Sequence, residues 1–154
     1  MKQSKQLLEI LKEPHPMLHH KCGPIALSWG ADWLITLAQN MIYTMRAVKG
    51  VGIAAPQIGE PLQLAIAVVD KVPLVLINPE IIEHSDEQAS MTEGCLSCPN
   101  ESVRIDRYVW VKVKYNDLKG KEKTILLDGI NAIIVQHECA HLNGVLITDY
   151  KNAA

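Results

Sequence analysis

The sequence predicts an α+β fold: antiparallel sheets packed around a central C-terminal metal-binding helix, with a second, N-terminal helix. Three observations predict it. Gln136-His137-Glu138-Cys139-Ala140-His141 closes an apolar pattern of helical period, led by Ile130, Ile133 and Ile134. A second pattern of that period runs from Ser28 to Lys49. Between and around them lie short apolar or alternating runs of strand length separated by turn residues, an order that suits α+β better than a parallel sheet.

Taken in order, residues 5–12 are a short apolar run that fits a strand or a helical turn equally. His15-Pro16 and Gly23-Pro24 punctuate a loop. His19 and His20 lie in it; adjacent histidines cannot both face one ion, so both are read as surface residues. In the N-terminal helix, Trp33, Leu34, Leu37, Ala38, Met41, Ile42, Met45 and Val48 make the apolar face, with Ser28 as N-cap and Gly50 as stop. Gly50 to Gly59 is glycine-rich and apolar around one polar side chain, Gln57. It follows a helix and lacks Lys-Ser/Thr, which argues against a phosphate loop. Its glycines suggest a close backbone approach.

Leu64–Val69 and Leu74–Ile77, broken by Asp70-Lys71, read as a strand pair, and residues 83–92 as a polar loop. Val103 to Tyr115 alternates as one half-buried strand. Asn116–Gly120 turns it back into Thr124–Leu127, a hairpin. Asp128 is the expected N-cap of the last helix and Asn143-Gly144 its stop.

Composition sets limits. A chain of 154 residues with 48% hydrophobic content suits one domain, residues 1–154, with its own core. A formal charge of −2 and a pI near 6.3 give no nucleic-acid or anionic-membrane signature. The early run Leu7-Leu8-Glu9-Ile10-Leu11 is too short and too charged for a secretory signal. No stretch approaches the roughly 20 apolar residues of a membrane span. The chain is read as cytoplasmic, and Cys22, Cys95, Cys98 and Cys139 as thiols or metal ligands rather than disulfides.

The chemistry starts at H-E-x-x-H. His137 and His141 stand one turn apart on one helical face, where two imidazoles can grip one cation. Glu138 is left free as a general base for an activated water. Two buried histidines satisfied by carbonyls would be the plainer explanation, but the glutamate and the inward face favour the site. A catalytic divalent site usually has three protein ligands and an open position. Asp149 is the sole carboxylate after His141, so the third ligand is sought upstream. Glu93-Gly94-Cys95-Leu96-Ser97-Cys98-Pro99 holds the best candidates. Cys95 alone would leave the site open; Cys95 with Cys98 would close it as a structural zinc site. Zinc-finger pairs usually lie about 12–15 residues apart, whereas positions 99–136 separate Cys98 from His137. A redox Cys95-x-x-Cys98 pair would explain neither the histidines nor the glycine loop.

Three segments together resemble the peptide deformylase family. Gly50 to Gln57 matches its G-φ-G-φ-A-A-P-Q motif, with φ apolar. Glu93 to Ser97 matches E-G-C-L-S, and Gln136 to Leu142 with Gly144 matches Q-H-E-x-x-H-L and its following glycine. All three in this order are highly specific, and the likeness covers nearly the whole chain. It implies Cys95, His137 and His141 as ligands of one divalent ion, Fe²⁺ in the cell, with Ni²⁺, Co²⁺ or Zn²⁺ as substitutes. It implies Glu138 as general acid/base, the Gln57 amide and the Leu96 backbone N–H as donors to the reacting carbonyl, and Gly52 as a place where substrate backbone comes close. The implied reaction removes the formyl group from N-formylmethionyl nascent peptides at the ribosome, releasing formate. No direct nucleic-acid or membrane partner is implied, and the chain is read as a monomer. Val51, Ile130, Ile133 and Ile134 flank the motif residues and are the candidates for a methionine pocket, although such positions are also ordinary core.

Three positions depart from the family pattern. Ala140 stands where Asp is usual, so Arg107, expected near Glu93, would lose an acidic partner. Cys98 stands where an apolar residue is usual. His19 follows Leu18 where Arg is usual, with no catalytic consequence.

Overall fold

The computed structural model describes residues 4–27 and 31–151. Ser28, the expected N-cap of the first helix, lies outside the described residues. Among the described residues there are two α-helices, α1 (Ala31–Ala47) and α2 (Gly129–Leu142). The strands are β1 (Gly52–Ala54), β2 (Leu64–Val69), β3 (Val72–His84), β4 (Gln88–Cys95), β5 (Cys98–Tyr108), β6 (Trp110–Asn116) and β7 (Glu122–Asp128). A five-stranded sheet has the order β1-β2-β3-β6-β7, and β4 and β5 form a separate two-stranded sheet; all pairings are antiparallel.

The period-2 alternation of β2 decides where the helices sit. Leu64 and Ile66 point to α1 and pack with Leu34, Ala38, Met41 and Met45. Ala67 joins the opposite cluster, where Val111, Val113 and Leu127 meet Ala132, Val135 and Cys139 of α2; Ala65 meets Leu142 at the helix end. Small side chains on that face let α2 approach the sheet closely. The β4–β5 sheet has its own core of Val103, Ile105 and Cys98 against Leu18, Leu146 and Ile147.

Several local expectations are corrected. The polar run 83–92 is mostly strand: residues 83–84 end β3, 85–87 make a short connection, and Gln88 onward pairs with β5, where residues 88–92 are exposed on both faces, so the polarity is that of an exposed strand. Val103 to Tyr115 is not one strand; it breaks at Val109 as the chain passes from one sheet to the other. Trp33 of α1 and Val48, just after its end, are exposed rather than core. Lys49, at φ +58°, takes the left-handed turn after α1 that was expected of Gly50. Asp128 holds the N-cap position of α2 without a capping bond from its side chain. Gly144, at φ +75°, ends that helix where a Cβ would fall 2.5 Å from the His19 carbonyl oxygen.

The run 5–12 is neither strand nor helical turn. It lies extended across α1, where the Gln6 and Leu8 N–H groups donate to Asn40 Oδ1 (2.9 Å) and Thr44 Oγ1 (2.8 Å). Those bonds give the two buried polar residues of α1 their partners.

Candidate metal centre and active site

Two elements converge on one point. α2 supplies His137 and His141, and the end of β4 supplies Cys95. Their ligand atoms all lie within 4.8 Å of one another. His141 Nε2 is 3.2 Å from His137 Nε2 and 3.3 Å from Cys95 Sγ. Ligands bound at about 2.0–2.3 Å in a tetrahedral arrangement are spaced by little more than this, so the cluster has the dimensions of a cation site. Cys98 is not part of it. It is Cys95's cross-strand partner, but it is buried in the apolar cluster under the small sheet. The closed four-ligand arrangement is therefore not what the fold assembles.

The surroundings prepare the donors. His137 Nδ1 is 2.9 Å from Glu93 Oε1, so the carboxylate fixes the ring proton there and leaves Nε2 free. Arg107 donates from Nε and Nη2 to the same carboxylate, both at 2.9 Å. Burial opposes ionisation of Glu93, but the bonds from His137 and Arg107 outweigh it and hold its pKa at about 2. With Ala140 in the neighbouring helix, the other side of the guanidinium faces Tyr150: Nη1 is 3.4 Å from the hydroxyl, and the cation lies 5.2 Å from the ring centre. Burial keeps His141 neutral, with its pKa at about 3, and pushes the Cys95 thiol up to about 12, so cation binding would displace the thiol proton.

Glu138 sits beside the cluster, 3% exposed, with Oε1 3.8 Å from His137 Nε2. Its Oε2 is buried without a hydrogen-bond partner. Burial raises its pKa to about 7, against the lowering effect of His137 and Arg107. Gly52 explains how the carboxyl fits: a Cβ there would fall 2.6 Å from Glu138 Oε1. The close approach expected at this glycine is thus made in the first instance by Glu138.

Gln57 is held so that its amide can only donate toward the site. Its Oε1 accepts from the Ala54 N–H at 2.9 Å, which turns Nε2 toward Ser97 Oγ (3.1 Å) and Cys95 Sγ (3.8 Å). A cavity of about 430 Å³ opens over these groups. Every candidate except the deeply buried His141 lines it: Gly52, Gln57, Cys95, Leu96, His137 and Glu138, with Val51, Ile130, Ile133 and Ile134. Ile130, 53% exposed, and Ile133 therefore face the cavity rather than the core that their helical stripe suggested, while Ile134 lines the cavity and also packs against the core beneath α2. The sequence reading did not single out Ser97, or Glu93 as the partner of His137. Both flank Cys95 in its motif, and a ligand imidazole needs an acceptor for its second nitrogen.

An H-E-x-x-H helix facing one cysteine across a cavity, with a buried carboxyl alongside, defines a metal-dependent hydrolase. The sequence profile of the polypeptide deformylase family matches residues 7–154. The peptide deformylase of Rhizobium meliloti is 39% identical over 142 residues, covering 89% of this chain and 80% of that one. That of Dictyoglomus thermophilum is 47% identical over 113 residues, 73% of each chain. Among solved structures, a class I type b peptide deformylase from Acinetobacter baumannii with Met-Ala-Ser bound aligns with TM-score 0.91 and 35% identity, over 95% of this chain and 99% of that one. Peptide deformylase from Thermotoga maritima aligns with TM-score 0.89 and 38% identity, over 94% and 97%. The chain belongs to the peptide deformylase family.

Proposed function

We propose that Cys95, His137 and His141 hold the divalent cation of this peptide deformylase, and that Glu138, Gln57 and the Leu96 N–H carry out removal of the N-terminal formyl group. The observation that carries this is the buried, unpartnered Glu138 Oε2 beside the three-donor cluster, in the same cavity as the Gln57 amide. When bound, a divalent cation supplies Lewis acidity and lowers the pKa of a water at the site towards roughly 7. A thiolate with two neutral imidazoles suits a soft divalent ion, Fe²⁺ in the cell, with Ni²⁺, Co²⁺ or Zn²⁺ as substitutes.

Glu138 takes the proton of the attacking water and returns it to the amine nitrogen as the C–N bond breaks, leaving formate and a free N-terminus. Its elevated pKa suits exchange in both directions near neutrality. Gln57 Nε2 and the Leu96 N–H bind the formyl oxygen as negative charge develops on it. Val51, Ile130, Ile133 and Ile134 receive the methionine side chain, and the backbone at Gly52 lies along the peptide. The peptide-bound Acinetobacter relative supports a peptide in this cavity. The substrate is a formyl-methionyl nascent chain, met by a monomer in the cytoplasm at the ribosome.

The test is formate release from formyl-Met-Ala-Ser by protein prepared without oxygen and loaded with Fe²⁺ or Ni²⁺. Release by the parent but not by Glu138→Ala is expected. A folded parent holding one metal per chain and releasing no formate would overturn the assignment.

A further inference from the structure

We infer that the amino-terminal segment 6–13 sets the spacing of the two oxyanion donors, with Lys12 as its positioning residue; this rests on the roles proposed above for Gln57 and Leu96. Those donors come from separate parts of the fold. Gln57 lies in the 3-10 turn Ala55–Ile58 after β1 of the five-stranded sheet, and Leu96 in the turn that joins β4 and β5 of the two-stranded sheet. The segment bonds to both. The Leu11 N–H donates to the Gln57 carbonyl at 2.7 Å, and the Glu13 N–H donates to the Ser97 carbonyl at 2.9 Å. Between them, Lys12 Nζ donates to the Leu96 carbonyl at 2.9 Å.

The segment is itself anchored. Its Gln6 and Leu8 N–H groups are tied to buried Asn40 and Thr44 of α1. Leu11 and Glu13 lie two residues apart, where the chain enters the turn closed by the His15 N–H on the Lys12 carbonyl. Gripping one donor element through residue 11 and the other through residue 13 therefore holds them at a fixed separation. Lys12 adds direction. Cys95 is held in the ligand cluster on one side of Leu96, and the ammonium holds the Leu96 carbonyl on the other. The Leu96 N–H between them has little freedom to turn. A loosely held donor loses much of its value at a developing charge, because preorganisation is the source of its effect.

The experiment uses the full chain, metal-loaded, with formyl-Met-Ala-Ser as substrate. Lys12→Met is expected to lower kcat roughly two- to tenfold, the value of one ordinary hydrogen bond, because solvent exposure weakens this one. KM, metal content and Tm should hold, and Lys12→Arg should recover most of the rate. Introduced beside Gln57→Ala, the same substitution should cost less, because groups sharing one oxyanion site are coupled. An unchanged kcat in Lys12→Met would overturn the proposal. So would an equal loss in both backgrounds, or a loss explained by a lower Tm with full activity per folded, metal-loaded chain. Gln57→Ala alone reads the underlying assignment: a loss of about 10²–10³ supports it. An unchanged rate there removes the oxyanion site, and the proposal with it.

Discussion

The two helices resemble each other in sequence and differ in what their apolar residues do. In α1 the apolar stripe is core: Leu34, Ala38, Met41 and Met45 are buried against Leu64, Ile66 and Ile77. In α2 the buried core residues are smaller, Ala132, Val135 and Cys139, while the larger Ile130 and Ile133 face the cavity and Ile134 spans cavity and core. Helical period shows that a face meets something apolar; it does not show whether that is protein or ligand. The sheet between them sorts the two cases. One face of β2 carries large side chains to fill the space beneath α1, and the other carries alanines that admit α2 and its ligands.

The sharpest test of that division is Met41→Ala. Met41 is fully buried, and truncation should cost about 2–5 kcal/mol of stability. Denaturant unfolding reads the cost, while kcat per folded, metal-loaded chain should stay at the parent value. A kcat loss at undiminished stability would mean that α1 also serves the site.

On the α2 side, Glu93→Gln should come next in size. Removing a carboxylate that orients a ligand imidazole typically costs about 10–100-fold in metal affinity, read by titration with Ni²⁺ or Zn²⁺. The same residue gives an acid signature. Its folded pKa, about 2, lies below the ordinary 4.5, so its stabilisation is present above pH 4.5 and is lost as pH falls from 4.5 towards 2. Urea unfolding of the metal-free parent across that interval should show the decline, and Glu93→Gln should flatten it. A parallel decline in both proteins would mean that the Glu93 contacts do not stabilise the fold.

The ligand cluster was legible because each donor sits in a short motif whose spacing carries the chemistry. H-E-x-x-H places two imidazoles on one face whatever the tertiary structure, and Cys95 lies in the matching cysteine segment. What escaped was set by partners distant in sequence. Residues 83–92 look like a loop because those of the strand, 88–92, are exposed on both faces; only the pairing of Gln88 onward with β5 shows β4. Asn40 and Thr44 look like flaws in an apolar helix until the amino-terminal segment crosses them. Tyr150 is a similar case: Arg107, expected to lack an acidic partner, also meets the Tyr150 hydroxyl and ring.

Ile133→Ala tests the cavity side of the helix comparison. Ile133 lines the cavity and is half-buried, so its loss should fall on substrate more than on the fold. A decrease of about tenfold in kcat/KM for formyl-methionyl peptide is expected. The loss of stability should be smaller than that of Met41→Ala. The reverse ranking, a large loss of stability with kcat/KM intact, would return the isoleucines to the core and break the distinction between the helices.

Cys98→Ala should have the smallest effect, and it separates a ligand from a packing residue within one turn. Cys95 and Cys98 are cross-strand partners at the end of the β4–β5 hairpin and their thiols interact, yet only Cys95 joins the ligand cluster. Cys95 meets His141, while Cys98 lies among Leu18, Val103, Ile105, Leu146 and Ile147, where cysteine packs as a small hydrophobe. Replacing it by alanine should cost about 1 kcal/mol through the lost sulfur contacts. One metal per chain and the parental kcat should be retained. Loss of the metal with the fold intact would show that Cys98 reaches the ion and closes the site. In that case the two sides of the turn would not be divided between chemistry and packing.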